Sequence, residues 1–284
     1  MSHKPNLTIR DLYYKLINLN ISLKTADVYQ ILEHLLKMEY SDIISNFEMT
    51  IEVNEKLLNE LIKELEMQKP LAYILQQKYF FKRKFTVDER VLIPRPETEI
   101  LIETALRWIN HQQNILIADI CTGSGVIGIT LNLETNNSVI CTDISDAALA
   151  VAQINSQNLK TQNVKFYQGD FLKPLIEQNL KVNLLVSNPP YIDYQDQDLS
   201  VNVQSFEPHL ALFADNNGLA FYQTMIDNLD KVMDLSKPFA VIMEFGWKQK
   251  AEIEKLLKNS QVKITWEFVR DYSDNWRCVI ITNV

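Results

Sequence analysis

The chain has 284 residues, of which 46% are hydrophobic and 23% charged, with a formal net charge of −8. That length suffices for one large domain or two smaller ones, and the acidic balance argues against a surface that tracks a phosphate backbone. No apolar run approaches the ~18 residues of a membrane span, so we expect neither export nor a membrane partner. Cys121, Cys141 and Cys278 lie far apart without zinc-ligand spacing. We therefore expect reduced thiols, a cytoplasmic protein and no metal site.

Residues 1–69 predict a small all-α bundle. Apolar residues recur at helical spacing in three stretches that begin at Ile9, Val28 and Leu57, and Thr8 is a suitable N-cap for the first. Such amphipathic helices share a core, and they contain no catalytic pattern.

Residues 70–95 predict a β-hairpin linker. Residues 79–81 are aromatic and residues 85–87 are mainly apolar; they flank Lys82-Arg83-Lys84, which places the basic residues near the turn. These cations could contact a phosphate or an acidic partner, but a solvated hairpin tip is the favoured explanation. The next segment leads into a helix that should end near Ile109, with Pro96 at its first position.

Residues 96–284 predict an α/β domain with a doubly wound sheet. Continuous apolar runs, typical of strands buried on both faces, alternate with helical stretches, which indicates parallel strand order. The predicted strands are 115–119, 139–143, 164–167, 184–186 and 239–244, and the predicted helices lie near 126–133, 146–158, 173–179 and 219–234. Residues 263–269 and 278–282 flank a polar turn and predict an antiparallel pair at the C-terminus.

A glycine-rich loop follows the first of these strands. The chain has only six glycines, and Gly123, Gly125 and Gly128 lie together in Asp119-Ile-Cys-Thr-Gly-Ser-Gly125 and the helix after it. The first two would let the backbone approach a ligand, and Gly128 would let helix and strand pack. The same GxGxxG spacing occurs in dinucleotide-binding loops, so alone it does not identify the ligand.

Three aspartates follow three successive strands. Asp119 would repel a phosphate and attract an ammonium group, and Asp143 follows Gly123 by 20 residues, where it could accept from ribose hydroxyls. Asp170 and Phe171 could hold the amine and the face of an adenine. One such aspartate is often only a turn residue, but three around a glycine loop indicate a ligand with a ribose and an ammonium but no phosphate. That describes S-adenosylmethionine, which methyl transfer converts to S-adenosylhomocysteine. The expected cofactor-binding residues are Asp119, Cys121, Thr122, Gly123, Ser124, Gly125, Asp143, Asp170, Phe171 and Asn188.

The fourth strand ends in Asn188-Pro-Pro-Tyr191. The prolines stiffen the chain and remove two backbone donors, so the Asn188 side-chain oxygen and the Pro189 carbonyl could together hold an –NH2 group. Pro190 and Tyr191 could pack against a flat substrate. These are also ordinary turn signals, but beside a methyl donor they predict methyl transfer to a planar nitrogen, with Asn188 and Pro189 as catalytic residues.

With these motifs the chain resembles, over essentially its full length, the HemK/PrmC family of release-factor glutamine methyltransferases. The resemblance rests on residues 70–75, 93–99, 119–125, 188–191, 207–209, 244–249 and 270–277. It implies a helical bundle, a hairpin linker and a class I (Rossmann-like) methyltransferase domain. It also implies methylation of the side-chain amide nitrogen (N5) of the glutamine in the Gly-Gly-Gln loop of peptide chain release factors. Cys121 and Gln76 stand where this family usually has glycine, and Phe171 where tryptophan is common.

Three other functions stay open on sequence alone. Ribosomal-protein glutamine methyltransferases share Asn-Pro-Pro-Tyr but typically have Pro-Arg-Ser-Pro where this chain has Pro-Arg-Pro-Glu at residues 94–97. Adenine-N6 nucleic-acid methyltransferases use the same tetrapeptide on a flipped base. Acidic charge and the absence of an evident target-recognition segment argue against a stable nucleic-acid partner. A binding module without activity is the third alternative, against which the intact Asn188 speaks.

Overall fold

The computed structural model describes residues 7–19, 21, 23–110, 112, 114–195 and 201–283. The chain divides into two compact units, Met1–Gln76 and Gln77–Val284. The finer division predicted from the sequence, into 1–69, 70–95 and 96–284, stays a prediction. In the part of the chain that is described, every helix is too short or too polar to cross a membrane.

The first unit is mainly helical. Its elements are β1 (Leu7–Thr8), α1 (Ile9–Ile17), α2 (Thr25–Leu36), α3 (Tyr40–Ser45), β2 (Thr50–Ile51), α4 (Glu55–Glu66) and α5 (Leu71–Ile74). The apolar faces of the three predicted helices pack into one core that includes Ile9, Val28 and Leu58. The Thr8 hydroxyl caps α1 by accepting from the Asp11 amide, as expected. The β1–β2 ribbon was not predicted, because two-residue strands show no periodicity.

The second unit contains the remaining elements. Its strands are β3 (Gln77–Phe80), β4 (Arg83–Thr86), β5 (Leu116–Ile120), β6 (Ser138–Asp143), β7 (Val164–Gln168), β8 (Leu184–Ser187), β9 (Ala240–Glu244), β10 (Ile264–Arg270) and β11 (Trp276–Asn283). Its helices are α6 (Glu99–Ile109), α7 (Val126–Thr135), α8 (Asp146–Asn158), α9 (Lys173–Glu177), α10 (Val201–Phe206), α11 (Asp215–Gly218), α12 (Ala220–Asp227), α13 (Leu229–Val232) and α14 (Lys250–Lys258). Single 3-10 turns occupy Pro96–Thr98 and His209–Ala211.

The central sheet of seven strands has the order β10-β11-β9-β8-β5-β6-β7. Strands β5 to β9 pair in parallel, whereas β11 pairs antiparallel with both β9 and β10. This confirms the predicted doubly wound sheet with an antiparallel C-terminal end. Strand order reverses between β5 and β8, and ligands in such sheets bind beyond the carboxyl ends of the strands at that point. The glycine loop follows β5 and Asn188-Pro-Pro-Tyr191 follows β8, so the two motifs lie side by side.

The β3–β4 hairpin packs against the core of the second unit through the buried rings of Phe80 and Phe85. Its two-residue turn is Phe81-Lys82, both with positive φ, so the turn comes one residue earlier than the basic cluster suggested. Arg83 is not a free cation, because it forms an ion pair with Glu134 at 2.6 Å. The hairpin is therefore a structural part of this unit.

Candidate active site

A cavity of about 250 Å³ opens beyond the carboxyl ends of β5, β6, β7 and β8. A water molecule occupies about 30 Å³, so the space suits an organic ligand. Nine residues predicted from the sequence line it: Cys121, Thr122, Gly123, Ser124, Asp143, Asp170, Phe171, Asn188 and Pro190. Four predicted residues do not line it: Asp119, Gly125, Pro189 and Tyr191. Lining residues that the sequence did not indicate include Arg95, Thr98, Ile127, Leu210 and Phe221.

The glycine loop takes the backbone shape that glycine favours. Gly123 and Gly125 have φ of +54° and +81°, and α7 begins directly after Gly125. A Cβ on Gly128 would stand 2.7 Å from Cys141 Sγ and 2.9 Å from Asp119 Oδ2. As predicted, Gly128 is what lets α7 approach the strands so closely.

Asp119 lies beneath this loop and is fully buried. Its Oδ2 accepts from the Thr122 hydroxyl and from the Gly128 N–H at 2.8 Å, while Oδ1 has no hydrogen-bond partner among the residues that the structure describes. Burial raises the pKa of this carboxyl to about 7, against the lowering effect of the two hydrogen bonds. Direct contact between Asp119 and a cofactor ammonium stays a prediction, since here the side chain shapes the loop from below.

We expect Asp119→Asn to change how stability depends on pH. Between about pH 4 and pH 7 the folded protein keeps a proton on Asp119 that the unfolded chain has already released. Stability associated with that proton is present at low pH and is lost as the pH rises through the folded-state pKa. Urea unfolding of both proteins should therefore show that the unfolding free energy of the asparagine variant rises relative to that of the wild type from pH 4 to pH 7. If the unfolding free energies of the two proteins changed in parallel with pH, the raised pKa of Asp119 would be wrong.

Asp143, at the end of β6, holds the loop from the side. Its Oδ2 accepts from the Gly123 N–H at 2.9 Å and its Oδ1 from the Ser145 N–H at 2.9 Å. The Gly123 amide is thereby occupied, whereas a pyrophosphate-binding loop would need it free. Each carboxylate oxygen has a second lone pair, so Asp143 keeps acceptor capacity for the hydroxyls of a ribose. Burial raises the pKa of this carboxyl.

Phe171 and Phe221 form an apolar wall of the cavity. Their rings meet edge to face with centroids 4.7 Å apart. Asp170 beside them forms an exposed ion pair with Lys173 at 2.7 Å. A ring and a carboxylate together suit a planar base that carries an amine. Phe221 belongs to α12, and no motif in the sequence marked it.

Cys121 and Gln76, which replace usual family glycines, both have left-handed backbones, with φ of +59° and +53°. Side chains other than glycine rarely adopt this conformation, which explains why glycine is usual at both positions. Both residues therefore stand in a backbone conformation that strains side chains other than glycine. Burial raises the pKa of the Cys121 thiol well above its ordinary value, so it stays protonated.

Asn188 is half-buried at the end of β8 and faces the cavity. Its Nδ2 donates to the Thr98 hydroxyl at 3.2 Å. Among the described residues none donates to its Oδ1, which is therefore an available acceptor. Tyr191 does not line this cavity, and its hydroxyl donates to Glu244 Oε1 at 3.3 Å. Burial raises the pKa of this phenol.

Gln249 fixes the chain directly after the two prolines. Its Nε2 donates to the Tyr191 carbonyl at 2.9 Å and to the Asn217 carbonyl at 3.2 Å. Its Oε1 accepts from the Gly246 N–H at 3.0 Å. One side chain thus joins three segments of the chain around the tetrapeptide, a role that the sequence did not reveal.

Two cations on the cavity wall are already paired. Arg95 donates to Glu207, a buried carboxylate that also accepts from the Ile93 N–H at 3.1 Å. Arg90 pairs with Asp88 at 2.6 Å. A ligand without phosphate groups is consistent with a site whose arginines are neutralised in this way.

Comparisons with known proteins agree with this geometry. A model of the methyltransferase small domain family matches residues 96–212. Release factor glutamine methyltransferase from Mycoplasma mycoides is 45% identical over 98% of this chain and 99% of its own length. The enzyme of the same name from Bacillus subtilis is 37% identical over 86% of this chain and 87% of its own length.

Solved structures show the same fold. A methyltransferase from Pyrococcus furiosus superposes with a TM-score of 0.54 at 15% identity, covering 80% of this chain and 98% of that one. A ribosomal protein L11 methylase from Lactobacillus delbrueckii has a TM-score of 0.50 at 18% identity, covering 72% and 89%. At such identities the likeness concerns the fold alone, and it confirms the class I methyltransferase architecture.

Proposed function

This chain belongs to the release factor glutamine methyltransferases, and from that premise we propose how its residues carry out the reaction. It is an S-adenosylmethionine-dependent methyltransferase that modifies a glutamine side-chain amide. The proposed acceptor is the N5 nitrogen of the glutamine in the Gly-Gly-Gln loop of peptide chain release factors. The observation that carries this proposal is the position of Asn188, which lines the cavity and whose Oδ1 accepts no hydrogen bond from the described residues.

Asn188 and Pro189 are the proposed catalytic residues. An amide nitrogen is a poor nucleophile because its lone pair is delocalised into the carbonyl. If Asn188 Oδ1 and the Pro189 carbonyl accept its two N–H groups, the lone pair points toward the donor methyl. The same two acceptors stabilise the positive charge that develops on nitrogen in the transition state. Pro190 and Tyr191 are proposed to complete the substrate pocket.

No general base is required by this arrangement. After methyl transfer the nitrogen is acidic, so its proton can leave to solvent. His209, the histidine in the Glu207-Pro208-His209 segment, has its Nε2 2.9 Å from the Gln204 carbonyl, which is consistent with a structural role.

The cofactor is proposed to lie along the glycine loop. Cys121 to Ser124 would border it, Asp143 would accept from its ribose hydroxyls, and Asp170 with Phe171 would hold its adenine. When bound, S-adenosylmethionine supplies an electrophilic methyl group. Asp119 and Gly125 are proposed to act on it through the loop that they shape.

The proposed partners are release factors, with no stable nucleic-acid partner, and the proposed location is the cytoplasm. The net charge of −8 and the three free cysteines support these proposals.

Mass spectrometry of a release factor incubated with this protein and S-adenosylmethionine tests the proposal. We expect a gain of one methyl group on the Gly-Gly-Gln glutamine, and none when that glutamine is replaced by alanine. Transfer to a different residue, or none at all, would contradict it.

A further inference from the structure

Thr98 connects the segment before α6 to the proposed catalytic asparagine. It ends the 3-10 turn Pro96–Thr98 and is only 2% exposed. Its hydroxyl oxygen accepts from Asn188 Nδ2 at 3.2 Å. A hydroxyl that accepts in this way still has its own proton to donate.

Glu244, at the end of β9, is the acceptor available for that proton. The side chain is 1% exposed, and its Oε1 accepts from the Tyr191 hydroxyl. Its Oε2 is buried and has no hydrogen-bond partner among the described residues, and the Thr98 hydroxyl lowers the pKa of this carboxyl. Thr98 therefore offers a proton, and Glu244 offers a buried acceptor atom without a partner. A buried carboxylate oxygen left unpaired is costly, which favours a hydrogen bond between the two.

We propose that Thr98 and Glu244 are positioning residues that hold the Asn188 amide with its oxygen toward the substrate. The inference rests on the function proposed above. An ionised carboxylate can only accept, so the Thr98 proton points to Glu244. The Thr98 oxygen can then only accept from Asn188, and the NH2 end is the only part of an amide that donates. The Asn188 oxygen is thereby directed to the cavity.

Protonation of Glu244 would remove this constraint. A neutral carboxyl could donate to Thr98, whose hydroxyl could then donate to the Asn188 oxygen and turn the amide over. Burial chiefly raises the pKa of Glu244, to about 7. The charged and titratable groups that influence it are Arg277, Tyr191 and Glu97, and those that it influences in turn are Tyr222 and Cys278.

A pair of Thr98 variants tests the inference. Thr98→Val keeps the volume but loses the hydroxyl, and we expect kcat for release-factor methylation to fall about 10–100-fold, as when partners that orient reactive groups are removed. The KM for the release factor should change far less. Thr98→Ser keeps the hydroxyl and should retain about half or more of wild-type kcat. A packing role would give the reverse order, with valine tolerated and serine impaired, and that result would overturn the proposal.

Glu244→Gln provides a second readout. In the wild type, kcat should fall toward acidic pH as Glu244 takes up a proton. In the glutamine variant, kcat should be lower overall, and its pH profile should lack that fall, which is the acid limb. Glutamine can donate at every pH, so its effect on Asn188 does not titrate. An acid limb that persists unchanged in Glu244→Gln would overturn the inference.

A measurement without substrate separates this inference from the proposed function. In ¹⁵N NMR spectra the Asn188 side-chain NH2 signals, assigned by their loss in Asn188→Asp, should shift in Thr98→Val but not in Thr98→Ser. If wild-type protein methylates no release factor, the proposed function is wrong, and these spectra still decide the inference. Unshifted signals in Thr98→Val would overturn it.

Discussion

Asn188→Ala is expected to lower kcat for release-factor methylation by about 10²–10³-fold, the range seen when one preorganised group that stabilises transition-state charge is removed. The loss follows because alanine lines the same cavity without an oxygen to replace Asn188 Oδ1, the acceptor proposed for the substrate amide. Steady-state kinetics with a purified release factor would give kcat, and calorimetry would give the Kd for S-adenosylmethionine. Cofactor affinity should change much less, because most of the lining comes from the glycine loop, Asp143 and Phe171.

Asn259→Ala is the matched control for that variant. Asn259 is an exposed asparagine at the C-terminal end of α14. It should leave both kcat and Kd at wild-type values. Near-normal turnover in Asn188→Ala would show that another group holds the substrate amide, and the mechanism proposed above would be wrong.

Gly218→Ala is expected to impair both stability and turnover. Gly218 has φ of +79°, and a Cβ there would stand 2.1 Å from the Tyr191 carbonyl oxygen and 2.6 Å from Gln249 Nε2. Ordinary carbon–oxygen contacts are about 3.3 Å, so the main chain after the two prolines must move by about 1 Å. A misplacement of that size near reacting groups can cost about 10²-fold in rate, and we expect a fall in kcat of that order.

Gly123→Ala separates strain from collision. Gly123 also has a positive φ, +54°, but a Cβ there would meet no atom within 4 Å. Left-handed strain of about 1–2 kcal/mol should appear in the unfolding free energy of both alanine variants. The additional loss expected only in Gly218→Ala would measure the collision with Tyr191. Equal losses in stability would show that the Tyr191 backbone moves freely, contrary to the role assigned to Gln249.

The alternation of buried strands and helices was readable from the sequence because each depends on short-range periodicity. The same holds for the cap of α1 by Thr8 and for the close approach at Gly128, where a single residue type limits what the backbone can do. The motifs at residues 119–125 and 188–191 also predicted their own positions at strand ends. Parallel order then required that they meet at one edge of the sheet, since the carboxyl ends of neighbouring parallel strands lie together.

Tertiary structure alone decided which side chains in those motifs face the cavity. Asp119 belongs to the motif that predicted the cofactor, yet it lies beneath the loop, because Thr122 and the start of α7 close over it. Phe221 also lines the cavity, although it belongs to a helix in which no sequence motif marked a site residue.

The hydrogen bonds around Asn188 and Tyr191 also depend on the tertiary structure. Its bond to Thr98 joins residues 90 positions apart, and the Gln249 bond to Tyr191 spans 58 positions. The sequence by itself determined the fold and the class of reaction, and it indicated the asparagine proposed to act in catalysis, since these follow from local pattern and residue type. Only the folded sheet decided what holds that asparagine, because such contacts depend on which distant segments the strand order brings side by side.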